Sequence, residues 1–225
     1  MPETAAKKAV GSVRVVTISA EYGAGGSVVA PRVAERLGLP FVDRAIPESV
    51  AHDIGCSLES ALAHDGRAEH GLGRLLAGAA RLPNVTLGGM EAYLPVGDLV
   101  SEDEFVARTE RAIREVAASS GGVLLGRAAA IVLADVPDAL HVRLRGGKEA
   151  RIVRVMRTTG MDERLARSQL EDSDRARTAY VKHFYRIDPD DPKLYHLVVD
   201  STLVPVDQVV EMIVLAAKSA VPASS

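Results

Sequence analysis

ISAEYGAGGSVVAPRVAERLG, Ile18 to Gly38, decides how this chain folds. A β-branched run (Val13, Val15, Val16, Ile18) leads into a turn holding Gly23, Gly25 and Gly26, and apolar residues then recur at helical spacing until Gly38. A buried strand, a glycine turn and a helix in that order place the turn at the carboxyl edge of a parallel sheet. There the free N–H groups and the positive end of the helix dipole attract an anion.

Three readings of the turn compete. On the phosphate-loop pattern G-x-x-x-x-G-K-[ST], the defining positions fall on Ala20, Gly25, Gly26 and Ser27. The second glycine and the hydroxyl are kept; the first glycine is Ala20 and the lysine is Gly26. On the dinucleotide fingerprint G-x-G-x-x-G/A, Gly23 and Gly25 fit, Val28 is too bulky at the third position, and Asp43 ends the next strand about 20 residues on. The third reading is a plain strand–turn–helix junction. This segment alone leaves all three open.

Outward from it, strands and helices alternate. The pattern predicts strands over 13–19, 39–43, 122–126, 139–145 and 195–201, and helices over 26–38, 101–121 and 204–219. Ser101 and Glu104 form a capping box. Residues 147–187 read as an arginine-rich helical stretch broken near Thr158–Gly160, and 67–100 as an irregular glycine-rich insert. Pro31 lies inside the first helix, where it removes a backbone donor and strains the turn behind the glycine loop. Alternation of this kind implies an α/β fold with a parallel sheet covered on both faces.

The 225 residues are 47% hydrophobic and 25% charged with net charge −3, ordinary values for a soluble domain. No global field favours nucleic acid or an acidic membrane, and 4% aromatics with no Trp argue against base-stacking surfaces. A single cysteine, Cys56, excludes an internal disulfide and suits a reducing cytoplasm. No secretory signal shows itself, and no apolar run reaches the roughly 18 residues of a membrane span. The six histidines lack metal-ligand spacing, DPDDPKLY (188–195) lacks the spacing of a calcium loop, and Ser57, Ser60 and His64 lack a nucleophile elbow.

Taken together, ISAEYGAGGSVVAPRVAERLGLPFVD, GVLLGR, HVRLRGGKEARIVRVM, DSDRARTAYVKHFY and LYHLVVDSTLVPVDQVVEMI resemble the cytidylate kinase-like family, relatives of bacterial cytidylate kinase whose loop likewise lacks the lysine. The resemblance covers roughly residues 13–217, between tails at 1–12 and 218–225. It implies a three-layer P-loop nucleoside-monophosphate-kinase fold with a five-stranded parallel sheet, a monophosphate-binding insert at about 44–100 and a helical lid at about 147–187.

By position, the resemblance implies that Gly23, Ala24, Gly25, Gly26 and Ser27 bind nucleotide phosphates, with Ser27 also on Mg²⁺. It places Asp43 and Arg127 on the acceptor side, Arg151 and Arg154 on the lid, and Arg175, with Asp172 its acidic partner, on the acceptor phosphate; Arg177 and Lys182 stand in reserve. Cytidylate kinases carry aspartate after the LLGR-type arginine, where this chain has Ala128. Arg151 and Arg154, at i and i+3, share a helix face. An arginine entering a phosphoryl-transfer site contributes roughly 10³–10⁵ in rate, whereas losing one well-placed donor costs about 10²–10³. Lid arginines can therefore offset the absent lysine.

The expectation is a cytoplasmic ATP- and Mg²⁺-dependent kinase acting on a CMP-like monophosphate or similar small phosphorylated acceptor. Its partners are nucleotides rather than nucleic acid or membrane, and the insert offers a surface for homo-oligomer formation. The alternatives are a nucleotide-binding sensor without turnover and, more distantly, a dinucleotide-dependent oxidoreductase.

Overall fold

The computed structural model describes residues 13–42, 102–126 and 128–219. Asp43, Cys56, Arg127, the insert, Ser101 of the capping box, residues 1–12 and residues 220–225 lie outside the described residues, while 218 and 219, expected in the tail, continue the last helix. The elements in chain order are β1 (Val15–Ala20), α1 (Gly26–Leu37), β2 (Phe41–Val42), α2 (Glu102–Ala118), β3 (Gly122–Leu125), α3 (Ala129–Val132), β4 (Ala139–Arg145), α4 (Lys148–Thr159), α5 (Glu163–Tyr185), β5 (Leu197–Asp200) and α6 (Val206–Ser219).

The five strands form one parallel sheet in the order β2-β3-β1-β4-β5. β1 is central, pairing Val15 with Gly122 of β3 and with Ala139 of β4. Its alternation splits the core: Val16 and Ile18 join Val29 and Val33 of α1 and Val210 and Ile213 of α6, while Val15 faces Ile113 of α2 and Leu133 beyond α3. Helices on both faces of the sheet make three layers. Two exposed ion pairs, Arg32–Asp207 and Arg36–Glu211, link α1 to α6; the apolar faces between them supply more stability than such surface pairs do.

This order settles one of the competing readings. A dinucleotide fold of the fingerprint type sets its second strand beside the first, whereas here β3 lies between β1 and β2. The first two strands are therefore not adjacent as that pattern requires.

Local outcomes follow the sequence closely. α1 runs unbroken through Pro31, since the buried face formed by Val29, Ala30, Val33 and Ala34 outweighs one lost backbone bond. The arginine-rich stretch breaks at Gly160, φ 74°, and restarts with Asp162 capping the Leu165 N–H at 2.9 Å. β2 begins at Phe41, two residues later than expected, and the one-turn α3 was not anticipated. Inside the sheet, His141 is hydrogen bonded to Thr17 at 2.8 Å and stacks on His196 at 4.9 Å. Among the described residues no helix is long and apolar enough to cross a membrane.

Candidate functional site

The loop between β1 and α1 turns on Gly23 (φ 77°) and Gly25 (φ 83°). Both angles lie in the region glycine enters without a Cβ penalty. α4 lies directly on this loop: a Cβ at Gly23 would sit 2.9 Å from the Arg151 carbonyl oxygen and 3.0 Å from a Val155 methyl. Tyr22 packs into the apolar cluster of Ile152, Val155, Ala166 and Leu170 that joins α4 to α5. The α4–α5 helix pair is thus seated on the glycine loop by both backbone and side chain.

Ion pairs set which way the loop faces. Arg151 is buried, and its Nη1 donates to the Tyr22 carbonyl at 3.0 Å and to Asp174 Oδ2 at 2.7 Å, while Nε donates to the Gly146 carbonyl at 2.9 Å. Asp174 Oδ1 accepts the Tyr22 N–H at 3.2 Å and Arg177 Nη2 at 2.9 Å, and Arg177 Nη1 donates to the Ala20 carbonyl. Glu21 sits 3.3 Å from Arg151 Nε and accepts from the Gly146 N–H at 3.0 Å. Buried Arg143 reaches Ser19 at 2.9 Å and pairs with Asp190. Three guanidinium groups and three carboxylates balance in this cluster, which engages the Ala20 and Tyr22 carbonyls. No described acceptor takes the N–H groups of Gly23, Gly25, Gly26 or Ser27, and the first turn of α1 holds no acidic residue. These amides and the helix dipole make an anion seat.

Arg154 differs from the three paired arginines. Its Nη2 donates to the Ser201 carbonyl at 2.6 Å, whereas its buried Nη1 has no hydrogen-bond partner. That nitrogen lies 3.1 Å from where a Cβ on Gly25 would be. Burial, with the charge of Arg157, lowers its pKa from the ordinary arginine value, and Asp200 opposes the shift; the group remains a cation. Ser201, fully buried, donates to the Ala24 carbonyl at 2.6 Å and so ties the turn after β5 to the glycine loop.

The expected site residues separate accordingly. Gly23, Gly25, Gly26, Ser27 and Arg154 converge on one seat, with Ser27 exposed on the first turn of α1. Ala24 corrects its expectation, because its N–H donates to the Glu21 carbonyl at 3.0 Å and its side chain is fully buried. It shapes the loop instead of offering a donor. Arg151, expected on the lid, commits its Nε and Nη1 to Gly146, Tyr22 and Asp174. Arg175 is exposed, with Asp172 at 3.5 Å, and the structure brings Arg177, not Arg175, to the end of β1. Burial and the nearby Arg143 lower the Arg177 pKa, against the pull of Asp174, Glu21 and Asp190.

DSDRAR holds two overlapping D-x-x-R registers, Asp172–Arg175 and Asp174–Arg177, and only the fold selects the second. Glu21, Arg143, Asp190 and Ser201 carried no sequence signal of their own. Ala128, which follows Arg127 in sequence, adopts φ 53°, a conformation costly for a residue with a Cβ. Among the described residues no group of three or more His, Cys, Asp or Glu could hold a metal ion.

The model of the cytidylate kinase-like family matches residues 15–203. The cytidylate kinase of Methanopyrus kandleri is 27% identical over 199 residues, 84% of each chain. A uronate isomerase of Corynebacterium glutamicum is 32% identical over 135 residues, 59% of this chain and 26% of that protein, so the chain spans about a quarter of that relative's length. A crystal structure of an uncharacterized protein from Eubacterium ventriosum superposes with TM-score 0.66 at 21% identity, covering 92% of this chain and 99% of the other. That likeness concerns the fold.

Proposed function

The chain belongs to the cytidylate kinase-like family, and from that premise we propose that it transfers a phosphoryl group from ATP to a CMP-like nucleoside monophosphate or similar small phosphorylated acceptor. The observation that carries this reading is the buried, unpartnered Nη1 of Arg154 against Gly25. Leaving such a donor unsatisfied costs about 1–3 kcal/mol. A triphosphate seated on the amides of Gly23, Gly25, Gly26 and Ser27 supplies the missing acceptor.

Phosphoryl transfer needs positioning and charge neutralisation more than covalent help from the protein. The amides hold the donor phosphates and Arg154 neutralises them from the lid side. Arg151 and Arg177 act one step back: they hold the loop carbonyls and so aim the amides. The lid resting on Gly23 keeps competing water from the transferring group. The donor base lies against the turn from Asp200 to Pro205, where Leu203 is exposed. Asp43 and Arg127 lie outside the described residues, and their assignment to the acceptor rests on the family resemblance alone.

Ser27 is the hydroxyl available to Mg²⁺, and one protein oxygen fits an ion that keeps waters and otherwise binds phosphate oxygens. Bound there, the ion neutralises charge across the donor phosphates.

The test is transfer from ATP with Mg²⁺ across a panel of nucleoside monophosphates. Turnover on at least one acceptor is expected, with a loss of about 10²-fold or more in Arg154→Ala. Tight nucleotide binding with no transfer to any acceptor would replace this reading with a nucleotide sensor, the alternative that Ala128, without a carboxylate, favours.

A further inference from the structure

We infer that Ala20 and Gly26 are a size-exchanged pair that closes the loop's usual lysine position and leaves the donor-site cation to Arg154; the inference rests on the nucleotide-binding reading above. Gly26 is the first residue of α1 and is not among the residues with positive φ. Its conformation therefore does not demand glycine, and alanine would gain helix propensity there. Space forbids the side chain. A Cβ on Gly26 would lie 2.5 Å from the Ala20 Cβ and 3.1 Å from Leu125 Cδ1.

Ala20 has little room to yield. It ends β1 in register with Leu144 of β4, and its carbonyl is held by Arg177. The phosphate-loop pattern assigns these sizes the other way round, glycine first and a long side chain at the seventh position. Here the methyl stands on the first position, so the seventh is limited to a hydrogen atom. The charge enters instead from α4, beside the neighbouring Gly25, as the unpartnered nitrogen of Arg154. Ala20 is thus a positioning residue: it touches no nucleotide, but it decides which element of the fold supplies the cation.

A double-mutant cycle tests the pair in the full chain without ligand. Gly26→Ala should lower Tm by about 3 °C or more, against the direction of helix propensity, because overpacking commonly outweighs that gain. The same change in an Ala20→Gly background should cost less by a similar margin. Failure of the single variant to fold, with recovery in the double, is the same result in stronger form. A single variant as stable as the parent, or a double that recovers nothing, overturns the inference.

The second readout is ATP affinity, which mere packing does not govern. In Ala20→Gly/Gly26→Lys, adding Arg154→Ala should cost at least about tenfold less affinity than Arg154→Ala costs in the parent, since the lysine now shares the phosphate charge. Equal costs in both backgrounds overturn the assignment of the cation. A parent that binds no ATP removes the functional reading, while the ligand-free cycle still judges the pair.

Discussion

Arg154→Ala and Arg151→Ala, three residues apart on one helix, should give opposite phenotypes. Arg151 is buried with Asp174 at 2.7 Å, Glu21 at 3.3 Å and two backbone carbonyls within 3.0 Å. Removing it strands those carboxylates and carbonyls, and breaking a buried ion pair from one side costs about 3–5 kcal/mol. For a chain of this size each kcal/mol shifts Tm by about 2–4 °C, so Arg151→Ala should lower Tm by roughly 6–20 °C. Arg154→Ala loses one bond to the Ser201 carbonyl but also removes a buried donor that had no partner. Those contributions, each of order 1 kcal/mol, nearly cancel, and Tm should move by no more than about 3 °C. The positions reverse with nucleotide present. Thermal melts with and without saturating Mg-ATP should show the stabilising shift retained in whatever folded fraction Arg151→Ala leaves, and mostly lost in Arg154→Ala. An Arg154→Ala variant with the parent's ATP-induced shift would refute the reasoning, as would an Arg151→Ala variant with the parent's melting temperature.

His141 is buried against Thr17 and His196, and burial, followed by the charge of His196, lowers its pKa from 6.5 to about 4. The unfolded chain therefore takes up a proton that the native state refuses, so stability is full above the ordinary histidine pKa and is lost as pH falls toward 4. Urea midpoints should record a loss of about 2 kcal/mol between pH 7 and pH 5, and His141→Gln should flatten that slope. Gly23→Ala should lower Tm by about 5 °C or more, combining positive φ with contact against the Arg151 carbonyl. Gly38→Ala, at φ +65° with nothing within 4 Å of the added Cβ, should show the conformational part alone. Ala128→Gly should raise stability by about 0.5–1 kcal/mol, read as a higher denaturant midpoint, because φ 53° is relieved.

Much of the fold was legible because its signals are local. The β-branched run of β1, the Gly38 stop and the break at Gly160 fix elements by short-range sterics, and each appears where its residues predict it. The glycine turn between β1 and α1 was legible for the same reason, since its positive-φ positions lie within a few residues of each other. The arginines were less so. Arg151 and Arg154 share a helix face by spacing, but spacing says nothing of what that face meets. The helix turns one guanidinium into a carboxylate pair and the other toward Gly25. Likewise DSDRAR offers two acid–arginine pairs of equal spacing, and packing against the end of β1 selects Asp174–Arg177 over Asp172–Arg175.

The sequence by itself determined a parallel α/β sheet with a lysine-less glycine turn at the carboxyl end of its first strand, because hydrophobic period and glycine placement act within a few residues. Only the tertiary structure decided strand order, which set aside the dinucleotide reading, and which arginine keeps an unpartnered nitrogen at the loop. It also revealed that the substitutions at Ala20 and Gly26 belong together. Those outcomes depend on distances between atoms far apart in the chain, and no local pattern of residue types encodes them.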